Sequence, residues 1–346
     1  MKKIDVFNHV LPVRFFKRIG DYRDIGKRMR EVPMLFDLPT RLRVMDRFPD
    51  YVQVLSAGMP PVEALAGPDR SPELARICND GMAELCRDHP DRFPAFIASL
   101  PLNHPEAAID ELHRCVDTLG ARGIQVFSNV NGLPLDRPEF APLFRAMADY
   151  DLPVFLHPAR GADFPDYKTE AKSRYELWWA FGWPYETSIA MARLVFAGIF
   201  EQHPNIKIVC HHFGAMVPFF EGRLGPGLDQ LGARTSDENY GAQLKHLKRR
   251  PIDYFRMFYA DTAVFGSDAA TQCGLAFFGA DRTLFASDAP FDPEKGPMYI
   301  RETIRILDHL ECSDEDRAKI YHGNAQRLLR LGEPIVRVPA PVRTLR

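Results

Sequence analysis

The 346-residue sequence has no apolar run approaching the roughly 20 residues needed to cross a bilayer. It also lacks any C-x-x-C pair. Cys78, Cys86, Cys115, Cys210, Cys273 and Cys312 are scattered through apolar surroundings and read as reduced core thiols rather than as a disulfide frame. Neither sign of charge dominates, since 44 basic and 46 acidic residues give a formal net charge of -2. That balance points away from nucleic acid and anionic membranes and toward small-molecule chemistry. The opening Met1-Lys2-Lys3-Ile4-Asp5 runs straight into a strand pattern without the apolar region of a signal peptide, so a cytoplasmic location is expected. No low-complexity tract or break in composition divides the chain, which is expected to form one domain over residues 1–346.

What the chain does contain is a rhythm. Short apolar runs alternate with longer amphipathic segments, the pattern of βα units around a parallel sheet. The expected strands are Ile4-Val10, Tyr51-Ser56, Ala95-Leu100, Gly123-Phe127, Leu152-Leu156, Ile206-Cys210, Met257-Ala260 and Thr283-Ala286. Helix-like segments separate them, and a last one, Asp314-Leu331, is expected to pack on the outside. The fold class is therefore α/β, an eight-stranded (β/α)8 TIM barrel. Ser71 and Ser313, each followed by early acidic residues, are candidate helix N-caps. Two connections exceed ordinary loop length. One runs from Arg14 to Phe36. The other runs from Pro158 to Trp183 and carries all three tryptophans, Trp178, Trp179 and Trp183, together with Phe181. Long βα loops lie on the carboxyl face of a barrel and tend to carry function. Such an aromatic loop suits either the roof over an aromatic substrate or a contact with a neighbouring subunit.

Potential ligands end several of the apolar runs: His9 the first, His157 the fifth, His211 and His212 the sixth and Asp288 the eighth. An isolated histidine at a strand end is more often a hydrogen-bonded core residue. Several at the carboxyl end of one barrel can instead share a cation, because those ends converge on one mouth. Imidazole and carboxylate suit zinc, iron or manganese, and three protein ligands plus water is the pattern of a catalytic zinc site. His211 and His212 are adjacent, so strand alternation sends only one of them inward. Asp261, ending the seventh run, can fix the tautomer of a ligand histidine.

Several stretches together resemble the metal-dependent amidohydrolase superfamily, in the branch of aminocarboxymuconate-semialdehyde, resorcylate and carboxyvanillate decarboxylases. They are Ile4-Asp5-Val6-Phe7-Asn8-His9, Pro153-Val154-Phe155-Leu156-His157-Pro158, His212-Phe213-Gly214, Tyr259-Ala260-Asp261-Thr262, Ser287-Asp288-Ala289-Pro290-Phe291 and Gly323-Asn324-Ala325. The resemblance implies a mononuclear divalent metal, zinc before manganese or iron, held by His9, His157 and Asp288 with His212 beside it. It makes His212, with Asp288, the proton-transfer pair and leaves His211 as a packing or supporting group. It places Arg41 and Arg43 where a carboxylate substrate is held, with Trp178, Trp179 and Phe181 over the ring. One position departs: Phe7, where the family usually has histidine or glutamate, cannot coordinate.

The expected activity is non-oxidative decarboxylation of an aromatic or conjugated carboxylic acid. Alternatives on the same fold are metal-dependent hydrolysis of an ester, lactone or amide, an iron or manganese oxygenase component, and a non-catalytic subunit paired with a paralogue. A homodimer or a hetero-oligomer with a paralogous chain is the expected assembly.

Overall fold

Strand β1 spans Lys3–Val10 and β2 Tyr51–Ala57; β3, Ala95–Phe96, and β4, Ala98–Ser99, flank Ile97 and together form the third expected run. Next come β5, Ile124–Phe127, the short pair β6, Asn129–Val130, and β7, Leu133–Pro134, and then β8, Pro153–His157. The last three are β9, Lys207–Cys210, β10, Tyr259–Asp261, and β11, Thr283–Leu284. These elements come from a computed structural model that describes residues 1–20 and 27–337. Every expected strand run contains a strand. Parallel ladders give the orders β1-β2-β3 and β11-β10-β9-β8-β5-β4. The bonds Ile97 N to Leu55 O and Ala98 N to Gly123 O join the two sheets at one seam. At the other seam no ladder forms, but Val6 N donates to Phe285 O, Asp288 N to Phe7 O and His9 N to Ala289 O. The eight parallel positions thus surround one interior, as in a (β/α)8 barrel.

Four local features depart from the sequence-based expectation. The pair β6-β7 is an antiparallel hairpin, turned by Asn131 and Gly132 at φ 49° and 87°, the left-handed pair that an Asn-Gly turn supplies. The first long connection is mostly helical, with Val13–Ile19, Lys27–Glu31 and a 3-10 turn at Pro33–Leu35; its residues 21–26 lie outside the described residues. Ser313 accepts from Asp316 N and caps its helix, whereas Ser71 is already helical and its hydroxyl donates to Asn103 Oδ1 at 2.6 Å. The C-terminal segment does not pack wholly outside. Its Ala325, Leu328 and Leu329 cluster with Ile4, Val54 and Ala95 and plug the amino-terminal end of the barrel. Among the described residues no helix is long and apolar enough to cross a membrane.

The side-chain alternation of the strands decides what faces the interior. Val54, Phe155, Val209 and Leu284 point inward, while Leu55, Val154 and Ile208 pack toward the helices. Strand β1 breaks this parity. Ile4, Val6 and Phe7 all join the inner cluster, whereas Val10 and Leu11 join the outer one. The cause is a register shift against β2: Asp5 pairs with Gln53 and Asn8 with Leu55, so β1 carries one extra residue, a β-bulge. Upstream of it the even positions face inward; downstream the odd ones do. The bulge therefore turns both Phe7 and His9 into the barrel.

Arg41 holds the bulge in place. Its Nε donates to Met34 O, its Nη1 to Asn8 Oδ1 and Gln53 Oε1, and its Nη2 to the His9 carbonyl. Asn8 Nδ2 in turn donates to Asp5 O and Val54 O. With its donors committed and only 1% of its surface exposed, Arg41 has no free fork for a substrate carboxylate. The expectation that it holds substrate is corrected: it is a buried cation that positions the strand carrying His9. Arg43, on the exposed side of the same helix, donates to Thr40 Oγ1. Replacing Arg41 by methionine leaves four buried acceptors short of a donor. It should cost about 3–5 kcal/mol of stability, measured by chemical denaturation; a loss below about 1 kcal/mol would remove the guanidinium from this role.

Candidate metal centre

Inward alternation carries His157 to the mouth from Phe155 and His211 from Val209. His211 remains extended, at φ -72° and ψ 157°, and its amide continues the ladder to Leu156 O. His212 then turns to φ 54°, outside the strand geometry in which neighbours point to opposite faces. Both rings consequently reach the site, 3.7 Å apart between centroids. The expectation that only one could do so assumed that the strand continued, and it is corrected by this turn. His211, expected as a packing or supporting group, lies with its ring beside those of His157 and His9.

The ring nitrogens are arranged as a set. His9 Nδ1 lies 3.1 Å from Ala57 O, His157 Nδ1 lies 2.7 Å from Pro158 O, and His211 Nδ1 lies 2.6 Å from Asp261 Oδ2. An acceptor at each Nδ1 draws the hydrogen there and leaves the other nitrogen to face the mouth. Ligand atoms of His9, His157 and His211 lie within 4.8 Å of one another, and those of His211, His212 and Asp288 form a second such group. Asp288 Oδ1 is 3.0 Å from His9 Nε2 and 3.5 Å from His211 Nε2, while its Oδ2 is 3.6 Å from His212 Nε2.

The electrostatics follow from this crowding. Burial, then the neighbouring His9 and His211, push His157 well below its ordinary value and keep it neutral. Burial and His211 also lower His212. Burial alone would raise Asp288, but the imidazoles of His211, His212 and His9 beside it outweigh burial and hold the carboxyl well below its ordinary value. Burial likewise opposes charge on His211, yet Asp261 and Asp288 raise it to about 9, so positive charge is favoured at that point.

A divalent cation fits this donor set. The Nε2 atoms of His9, His211 and His212 are buried without a hydrogen-bond partner, an expensive arrangement for three polar atoms unless something accepts their lone pairs. Metal bonds of roughly 2.0–2.1 Å around a tetrahedral ion imply ligand separations of about 3.3 Å. The distances from Asp288 Oδ1 to His9 and His211, 3.0 and 3.5 Å, bracket that value.

Aromatic rings wall the mouth. Phe7 lies beneath, stacked on His211 at 3.9 Å and 16°. Phe127 and Trp183 flank His157 at 5.2 and 5.5 Å, Phe291 flanks His9 at 5.4 Å, and Phe265 flanks His212 at 5.3 Å. The tryptophan loop thus contributes through Trp183, whose Nε1 donates to Arg160 O. Trp178 and Trp179 pack against Trp183 rather than on the histidines, and Phe181 is 74% exposed. The helix Gly182–Phe196 begins one residue before Trp183 and places that ring, rather than those three, beside His157. Arg160 pairs with Glu186 at 3.0 Å, and Asp163 is exposed.

Sequence reasoning missed Phe127, Phe265, Phe291, Tyr299 and Arg28. Phe291 stood three residues beyond Asp288 and could have been found. Nothing local marks Tyr299, whose hydroxyl is pushed up to about 12 by burial and by Asp288, or Arg28, exposed with its guanidinium 6.0 Å over the Phe291 ring. A cavity of about 200 Å³ elsewhere, bordered by Leu11, Leu35 and Leu85, contains none of these histidines.

A further buried carboxyl lies on the short helix Val62–Leu65 after β2. Glu63 is 4% exposed, its Oε1 has no partner, and burial raises it to about 8. Its raised value means that the stability it contributes is fully present below about 4.5 and is lost as pH climbs to about 8. Glu63→Gln removes this dependence. The variant should exceed the parent in stability by a few kcal/mol above pH 8 and converge with it near pH 5, as read by denaturation at both pH values; parallel curves would show that Glu63 is not buried as an acid.

Comparison with known proteins bears on this geometry. A sequence profile of the amidohydrolase family matches residues 4–331. The gamma-resorcylate decarboxylase of Rhizobium sp. (strain MTP-10005) is 32% identical over 323 residues, covering 90% of this chain and 91% of that one. The crystal structure of 2,6-dihydroxybenzoate decarboxylase with 2,6-dihydroxybenzoate superposes with a TM-score of 0.79 at 28% identity, over 96% of this chain and all of that one. The 5-carboxyvanillate decarboxylase of Novosphingobium aromaticivorans, complexed with manganese and 4-hydroxy-3-methoxy-5-nitrobenzoic acid, superposes at 0.80 with 25% identity, over 95% and 96% of the two chains.

Proposed function

The chain belongs to the amidohydrolase family, and we propose that within it this protein is a metal-dependent, non-oxidative decarboxylase of an aromatic carboxylic acid. The observation that carries this reading is the convergence of orphaned imidazole nitrogens and one carboxylate on a mouth walled by aromatic rings. His9, His157 and Asp288 would hold a single divalent cation. Bound there, such an ion supplies Lewis-acid stabilisation of negative charge on the substrate's carboxylate and a neighbouring ring oxygen. Two imidazoles and a carboxylate suit zinc by ligand type, whereas the carboxyvanillate decarboxylase holds manganese.

The residues of the chain perform the rest. Trp183, Phe127 and Phe291 sandwich a planar ring and exclude water from the cluster. Arg28, at the rim, draws the anion in. His212 moves the proton. As the bond between ring and carboxylate breaks, its electron pair stays on the ring carbon, which takes the proton from His212 as carbon dioxide leaves; solvent then restores that proton. Burial makes the His212 imidazolium a readier acid, and Asp288 alongside orients it. The exposed aromatics Tyr175, Phe181 and Phe219 suit a contact with a second copy of the chain or a paralogue, and six free cysteines accord with a reducing, cytoplasmic setting.

The metal-loaded protein should release carbon dioxide from 2,6-dihydroxybenzoate or a close hydroxybenzoate. His212→Asn should lower kcat by roughly 10²–10⁴-fold while metal content is unchanged. No carbon dioxide from a panel of hydroxybenzoates and carboxyvanillate would sink the reaction, and a His212→Asn variant of near-parental kcat would sink the proton-transfer role.

A further inference from the structure

We propose that His211 is a metal ligand that stands in for the one Phe7 cannot supply, completing a set of His9, His157, His211 and Asp288. The inference rests on the metal-centre reading above and assigns the two adjacent histidines different work: His211 coordinates, and His212 is left free to move a proton.

Four observations converge on His211. Strand alternation from Val209, continued by its extended backbone and its ladder bond to Leu156, points it into the barrel rather than toward the helices. Asp261 fills its Nδ1 at 2.6 Å, and Asp261 is itself fixed, because its Oδ1 accepts from the amides of His212 and Ala263. The ring therefore cannot turn to satisfy Nε2 elsewhere, and that nitrogen is buried without a hydrogen-bond partner. Its ligand atom lies within 4.8 Å of those of His9 and His157, and its Nε2 is 3.5 Å from the Asp288 oxygen that also faces His9. The Phe7 ring completes the arrangement. It fills the place from which β1 would have offered a donor and lies flat beneath His211, holding the imidazole plane from below as Asp261 holds its edge. An imidazole supported on its face and at Nδ1, with the remaining nitrogen aimed at two other histidines and a carboxylate, has the constraints of a ligand rather than of a filler.

The test is metal binding, read without turnover. The parent chain should bind one equivalent of zinc by elemental analysis, and X-ray absorption of the zinc protein should count three imidazoles. His211→Ala should weaken zinc roughly 100-fold or more in competition with a chromophoric chelator, beyond the loss expected when only a group supporting a ligand is removed. His212→Asn should retain affinity within a few-fold. The double variant Phe7→His, His211→Ala should recover most of the lost affinity, since it returns a donor to the first strand. A folded His211→Ala variant of parental affinity would overturn the inference and leave the reading of the site intact. Should that variant fail to fold, an imidazole count of two in the parent would overturn it instead. A parent chain that binds no metal would overturn the metal-centre reading itself.

Discussion

The seam between the first and last strands is the constraint on which the rest depends. A sheet that curls round must satisfy its final edge, and here the bonds from Val6 to Phe285, Asp288 to Phe7 and His9 to Ala289 do so. Asp5, buried at the same seam, accepts from the amides of Phe7 and Ser287 and from the hydroxyls of Ser287 and Tyr51. The same bonds bring the Asp288 carboxylate to His9. Closure and the assembly of the candidate metal centre are thus one event, and neither His9 nor Asp288 takes its place there without the other.

Around that seam each of three histidines is held from behind. Ala57, Pro158 and Asp261 occupy one nitrogen of His9, His157 and His211, and all of these acceptors belong to the barrel wall or its immediate extensions. Rigid supports of this kind give a site whose geometry precedes the arrival of ion or substrate. The aromatic walls come from loops instead: Trp183 follows β8, Phe265 follows β10 and Phe291 follows β11. Binding chemistry sits on the frame, and shape recognition on what is added to it, the division by which one barrel serves many substrates.

The strand pattern was legible because buried parallel strands write themselves as apolar runs, and His9, His157 and Asp288 were legible as polar residues ending such runs. The bulge in β1 was not, since one inserted residue leaves no mark in a run where Ile4, Val6 and Phe7 are all apolar. Arg41 looked like an exposed helical arginine because its partners, Asn8, Gln53 and the His9 carbonyl, are distant in sequence and come together only through that bulge. The roles of His211 and His212 turn on one left-handed backbone angle, which their own sequence does not announce. The tryptophan loop stood out as either a roof over substrate or a subunit contact, but which ring points inward depends on where the helix after it begins.

The stack of Phe7 on His211 also decides from which side the mouth can be approached. At 3.9 Å between centroids nothing as large as a water fits between the two rings, and Phe155 stands edge-on to Phe7. The face of His211 turned to Phe7 is therefore sealed, and whatever reaches the histidines comes from the side of the loops that carry Trp183, Phe265 and Phe291.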